Sequence, residues 1–159
     1  ALYSSSKPQD KRLIMGLFPH LNWLKKQGIA IWDSATSIAP GQNKVEEAIR
    51  AALYCQIAIF LISIDFLDES FLDSQSPLSK AIPILQWRSR QQSLHLIPIL
   101  LRECNYEFIF SHITPKNAQP IGKIGCTDRD KVWKELCKDI CAILPYPCTE
   151  IGLTNNSTI

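Results

Sequence analysis

The chain has no glycine-rich phosphate loop. Neither GxGxxG nor GxxxxGK[ST] occurs in its 159 residues, which disfavours Rossmann-type and P-loop nucleotide sites. It has no basic stripe: the largest Lys/Arg cluster is Lys25-Lys26 and the formal net charge is +2. Tracking a phosphate backbone needs a far larger basic surface, so nucleic acid is not an expected partner. No apolar run reaches the roughly 18–20 residues of a membrane span. The opening ALYSSSKPQD lacks the basic head and apolar middle of a signal peptide. The six cysteines form no CxxC pair, and Cys137 and Cys141, four apart, have no histidine beside them. No metal site is expected. A chain of this length does not need disulfide staples, so buried or half-buried free thiols in a reducing, cytoplasmic compartment are expected instead. His20, His95 and His112 each stand outside any recognisable nucleophile motif.

What is present is a globular composition, 46% hydrophobic and 20% charged, on a chain long enough for one domain with a proper core. The organising stretch is QIAIFLISIDFLDESFLD, residues 56–73. Its apolar, β-branched opening IAIFLI does not alternate with polar residues, which predicts a strand covered on both faces. The most acidic short segment of the chain follows directly. In doubly wound sheets ligands bind past the carboxyl ends of the strands, so one wall of a site is expected at 63–70.

The rest of the chain alternates strand and helix. Ala1-Leu2-Tyr3 reads as the end of a first strand whose beginning is missing, which predicts a domain cut from a longer protein. A helix is expected over 10–26, kinked at Pro19 and stopped by Gly28. Ile29-Ala30-Ile31-Trp32 reads as a second strand, and 33–43 as a loop. Asn43 with Glu46 forms a capping-box-like pair for a helix with Val45, Ile49, Ala52 and Leu53 inward. Ser76-Pro77 reads as N-cap and first helical position of a helix running to about Arg90. HLIPILL, 95–101, is the next buried strand, and 102–120 is irregular with a helical turn near 108–112. The segment 121–124 reads as a short edge strand. Thr127 is expected to cap a last helix with Val132, Trp133, Leu136, Ile140 and Ile143 inward, ended by Pro145. This pattern predicts a flavodoxin-like, three-layer α/β fold: a five-stranded parallel sheet of order 2-1-3-4-5 with helices on both faces.

Three chemistries deserve weighing on the residues alone. Ser4, Ser5 and Ser6 after the first strand could line a phosphate pocket, or simply form a turn. A receiver-type phosphoacceptor reading fails because only serines stand where an acidic magnesium pair is required. Asp65, Asp68, Glu69 and Asp73 gather carboxylates that could stabilise an oxocarbenium-like centre, or form a solvated acidic loop.

Several segments together resemble the Toll/interleukin-1 receptor (TIR) domain family, bacterial-type members in particular. YSSSKPQDKRL resembles the first family box. IWDSATSIAPGQNKVEEAIRAAL resembles the second strand, the BB loop with its I-x-P-G core, and the B helix. QIAIFLISIDFLDESF resembles the central strand, LIPILLREC the fourth, and TDRDKVWKELCKDI the last helix with its late tryptophan. The resemblance covers roughly residues 2–144, with 32–49 one or two residues longer than usual. It implies a TIR domain over 1–145 followed by a tail, 146–159.

The resemblance implies two functions. One is signalling by self-association through TIR–TIR contacts, as in innate immunity, with the BB loop at Ile38, Ala39, Pro40 and Gly41 as the interface. The other is NAD+ cleavage to nicotinamide and ADP-ribose or a cyclic product, with NAD+ as substrate or ligand and no further cofactor. The nucleotide would lie against Ser4, Ser5, Lys7, Asp65 and Phe66. The family's catalytic glutamate falls on Ser76, or on Pro77 with a slip of one, and neither offers a carboxylate. Glu69 and Asp73 are the candidate substitutes. The expectation is therefore a cytoplasmic, homo-oligomeric signalling module with weak or no catalysis, the NAD-consuming effector being the alternative.

Overall fold

The computed structural model describes residues 1–34 and 36–144. Three parallel strands form one sheet: β1 (Leu2–Tyr3), β2 (Ile57–Ile62) and β3 (His95–Leu100), in that order. Leu2 pairs with Ile59, and Ile57 with His95. Every residue of β2 is buried, as its unalternated apolar run demands.

Helices cover both faces. On one, α1 (Pro8–Ile14), α2 (Phe18–Lys26) and α6 (Cys126–Ile143) pack Ile14, Leu21, Leu24, Trp133, Leu136 and Ile140 against Leu2, Ile57, Ile59 and Ile97. On the other, α3 (Lys44–Tyr54), α4 (Ile64–Phe71) and α5 (Pro77–Arg90) pack around Tyr3, Ala58, Phe60 and Ile62. Alternate strand residues thus feed two separate cores, the period-2 geometry of a strand buried on both sides. Phe60 is the hub of the second core, with ring centroids 5.6 Å from Phe66 and 5.7 Å from Phe110.

The sheet departs from the expected five strands among the described residues. The segment 29–32 makes no strand. Its neighbour β1 has only two residues, so pairing is confined to a parallel bridge between Leu2 and Asp33, with Leu2 donating to the Trp32 carbonyl at 2.8 Å. The expected edge strand at 121–124 is a 3-10 turn over Ile121–Lys123. Its pairing role is taken by a side chain. The Asn117 amide accepts from the Leu100 N–H and donates to the Leu100 carbonyl, both at 2.8 Å. Lys116 donates to the Pro98 carbonyl at 2.9 Å and Gly122 to that of Leu101 at 2.9 Å. The edge of β3 is therefore satisfied without a fifth strand. Pro98 faces this edge, where a missing N–H costs the ladder nothing.

Helix boundaries shift where local chemistry decides. The first helix starts at Pro8 and breaks into α1, a 3-10 turn at Met15–Leu17, and α2. Pro19 opens α2, where its lost N–H is not needed, rather than kinking a continuous helix. The acidic segment after β2 is helical, as α4, because the Ser63 hydroxyl caps it by accepting from the Phe66 N–H at 3.1 Å. In α3 the buried residues are Ala48 and Ala52, while Leu53 is exposed. The last helix starts at Cys126 with Gly125 as N-cap, not Thr127, and the expected stop at Pro145 lies outside the described residues. The turn expected near 108–112 is a 3-10 turn at Tyr106–Phe108.

Cys55, Cys104, Cys126 and Cys137 are free. Cys126 is exposed, not buried, and Cys141 is disulfide-bonded, against the expectation of free thiols throughout. Among the described residues no helix is long and apolar enough to cross a membrane.

Candidate functional site

The carboxyl ends of the three strands converge on one buried carboxylate. Asp10, on the first turn of α1, has no exposed surface. Its Oδ2 accepts from the Ser5 hydroxyl at 2.5 Å and also from the Ser63 hydroxyl. Its Oδ1 accepts from Arg102 Nε at 2.8 Å. Ser5 follows β1, Ser63 follows β2 and Arg102 follows β3, so each strand delivers one polar group to Asp10. The second arm of Arg102 donates to Asp65 Oδ2. A buried carboxylate is tolerated when it is hydrogen-bonded and paired, and this one is both. Burial works to lower the pKa of the half-buried Arg102, yet the hydrogen bonds and charges of Asp10 and Asp65 hold it above its ordinary value.

Glu69 lies on the same rim and is also committed. Its carboxylate accepts from the Ser6 N–H at 3.0 and 3.1 Å and from the Ser6 hydroxyl at 2.7 Å. Asp73 accepts from the Gln75 N–H at 3.0 Å, a local turn that precedes Ser76. Ser76 is the N-cap of α5: buried, it accepts from the Leu78 N–H at 3.2 Å, with Pro77 next in the helix.

Among the sequence-derived candidates, Ser5 and Asp65 meet through Asp10 and Arg102. Ser4 is buried beside them, its N–H donating to the Ser34 hydroxyl at 3.3 Å. Lys7 is exposed at the start of α1. Phe66 has no exposed surface and packs on Phe60, so it belongs to the core and offers no wall to a ligand. The residues that sequence reasoning missed are Asp10 and Arg102. Asp10 read as a helix start and Arg102 as the start of a loop. The available signal was a basic residue directly after the apolar run 96–101.

The loop segment 36–43 forms a second feature. Its base is pinned at Asp33, whose N–H donates to the Ser37 hydroxyl at 2.8 Å and whose carboxylate accepts from the Thr36 hydroxyl at 2.7 Å. Its tip is a turn closed by Gln42 N–H to the Ala39 carbonyl at 3.1 Å. Pro40 and Gly41 occupy the two central positions, and Gly41 has φ +87°. That is the sequence signature of a type II turn, whose third residue requires the left-handed region. Gln42 locks the turn further, its Oε1 accepting from the Ala39 N–H at 2.9 Å. Ala39, Pro40 and Gly41 are exposed and Ile38 is half-buried. The following helix is capped by Asn43, which accepts from the Val45 N–H at 3.0 Å while its amide donates to Glu46 at 3.0 Å.

Among the described residues no group of three His, Cys, Asp or Glu side chains could hold a metal ion. No family model matches the chain, and neither a curated protein nor a solved structure matches it.

Proposed function

We propose that this chain is a TIR-type signalling module that self-associates through Ile38, Ala39, Pro40 and Gly41 and has weak or no catalysis at its strand ends. The observation that carries this reading is the commitment of four strand-end carboxylates, Asp10, Asp65, Glu69 and Asp73, to internal partners, whereas Asp68 is exposed. Asp10 and Asp65 are both held by Arg102, Glu69 is spent on Ser6 and Asp73 on Gln75. Stabilising an oxocarbenium-like centre requires a carboxylate placed within a fraction of an ångström of the sugar. Ser76, at the position where the family resemblance puts its glutamate, is a helix cap. A flavodoxin-like order 2-1-3-4-5 is supported by adjacency: Asp33 bridges β1, β1 pairs with β2, β2 with β3, and Gly122 bonds beyond β3.

The exposed tip Ala39-Pro40-Gly41 supports the interface half of the reading. A rigid, preorganised turn loses little entropy on docking. Sedimentation velocity over a concentration series tests it, comparing the native chain with Ile38→Asp and Pro40→His. The expected result is concentration-dependent association that both variants weaken at an unchanged thermal midpoint. Association that survives both variants contradicts the interface.

A further inference from the structure

Two helical faces expose apolar side chains beside charges of opposite sign. On α4, Ile64 is 55% exposed, Phe71 is exposed, and Leu72 at the C-cap is 80% exposed. Helical spacing aligns Ile64, Asp68, Phe71 and Leu72 along one side of the helix, while Phe66, Leu67 and Ser70 are buried on the other. Asp68 is exposed and stands one turn from its apolar neighbours in each direction. The second face runs from α1 through the 3-10 turn into α2. Met15 is 65% exposed and Phe18 is exposed as well. Lys11 and Arg12, one turn before Met15, are both exposed. Ile14, Met15 and Phe18 all keep right-handed helical backbone, so the helical spacing carries across the 3-10 turn. Among the described residues Asp68, Lys11 and Arg12 make no salt bridge.

We infer that α4 of one copy docks on the α1–α2 face of a second copy, with Asp68 meeting Lys11 and Arg12 between apolar side chains. Charge selects this pairing over the two symmetric ones. Two α4 faces centred on each other would oppose Asp68 with Asp68, and two α1–α2 faces would oppose cation with cation. The pitch matches too. On α4 the charge lies one turn from Phe71 and Leu72, and on the other face one turn from Met15, so the ion pair and the apolar contacts form together. The α4 helix belongs to the core on one side of the sheet, and α1 and α2 to the core on the other. The contact therefore joins two different surfaces, a heterologous geometry. Five apolar side chains make a small interface of the transient class. It is separate from the tip at Ile38–Gly41 and does not rest on the function proposed above.

Sedimentation velocity over a concentration series tests the contact on the whole chain. The variants are Asp68→Lys, Lys11→Glu combined with Arg12→Glu, Leu72→Ser, and Arg90→Glu as an exposed basic control on α5. Asp68→Lys alone and the double variant alone are each expected to weaken association about tenfold or more, because each sets like charges opposite one another. An equimolar mixture of these two is expected to associate as the native chain does, because opposite charges meet again. Leu72→Ser is expected to weaken association with no rescue by mixing, and Arg90→Glu to change nothing. Thermal midpoints are expected to stay native throughout, since every altered side chain is exposed.

A mixture no tighter than its two components would overturn the contact, as would a loss with Arg90→Glu in place of the Lys11 and Arg12 changes. A native chain that stays monomeric would overturn both this contact and the loop interface. Association weakened by Pro40→His but by none of these variants would overturn this contact alone.

Discussion

Arg102 Nε and Asp10 Oδ1 stand 2.8 Å apart across a separation of 92 residues, and their bond joins the start of the first helix to the end of the last strand. The same guanidinium also holds Asp65. The two carboxylates differ in burial: the side chain of Asp10 is fully enclosed and that of Asp65 is 25% exposed. Arg102→Met leaves Asp10 on its two serine hydroxyls and is expected to cost about 2–3 kcal/mol, the worth of a hydrogen bond to a buried charge. In double-mutant cycles with Asp10→Asn and Asp65→Asn, the coupling to Asp10 is expected to exceed that to Asp65. Urea titrations of the six chains measure both. Equal couplings would contradict the account of the site.

Asn117 serves in place of a strand. Asn117→Ala strands the Leu100 N–H and carbonyl, each worth about 1–3 kcal/mol when left buried without a partner. Asn117→Asp keeps an acceptor for the N–H and loses the donor to the carbonyl, so it is expected to fall between alanine and the native chain. Chemical denaturation ranks the three. Native stability in the alanine variant would show that the edge of β3 is open to water.

This edge also shows where the sequence was legible and where it was not. The three strands, the Asn43 and Ser76 caps and the two helix-covered faces follow from local chemistry: unalternated apolar runs, side-chain oxygens next to helix starts, and spacing along each helix. The outer strands did not follow, because strand formation depends on the neighbour. The apolar run 29–32 has strand composition, but β1 reaches it only at Leu2. Ile121 and Ile124 suggest a strand, but Asn117 had already met the need. The site was half legible for a similar reason. Ser5, Asp65 and Glu69 stand next to strand ends in the sequence, whereas the Asp10–Arg102 pair is a contact of distant residues that no local pattern announces.

Burial sets the alkaline behaviour. It pushes the Cys137 thiol up from 9.0 to about 11, and burial chiefly does the same to Cys104. An unfolded thiol ionises near its ordinary value while the folded one stays neutral, so the unfolded state holds fewer protons above pH 9. Stability is then fully present below pH 9 and falls as pH rises towards 11. Tyr3, also raised by burial, adds to the decline from about pH 10, the ordinary tyrosine value. Replacing both cysteines with alanine is expected to flatten the slope between pH 9 and 10, measured as urea midpoints. An unchanged slope would place the titration elsewhere.

Ser76 caps α5 through its hydroxyl, so Ser76→Ala is expected to cost about 1 kcal/mol, read by thermal denaturation. Asp at this position would keep the cap. No loss in the alanine variant would show that the Leu78 N–H finds another acceptor.

The strand-end site is the heart of the proposal, and nicotinamide release tests it. The purified protein would be incubated with NAD+ at concentrations where it associates, beside Ser76→Glu and a no-protein control. Release no greater than the control is expected from the native chain, because Asp65, Glu69 and Asp73 are held by Arg102, Ser6 and Gln75. Sustained release from the native chain, reduced by Glu69→Gln or Asp73→Asn, would contradict it and make the protein an NAD-cleaving enzyme.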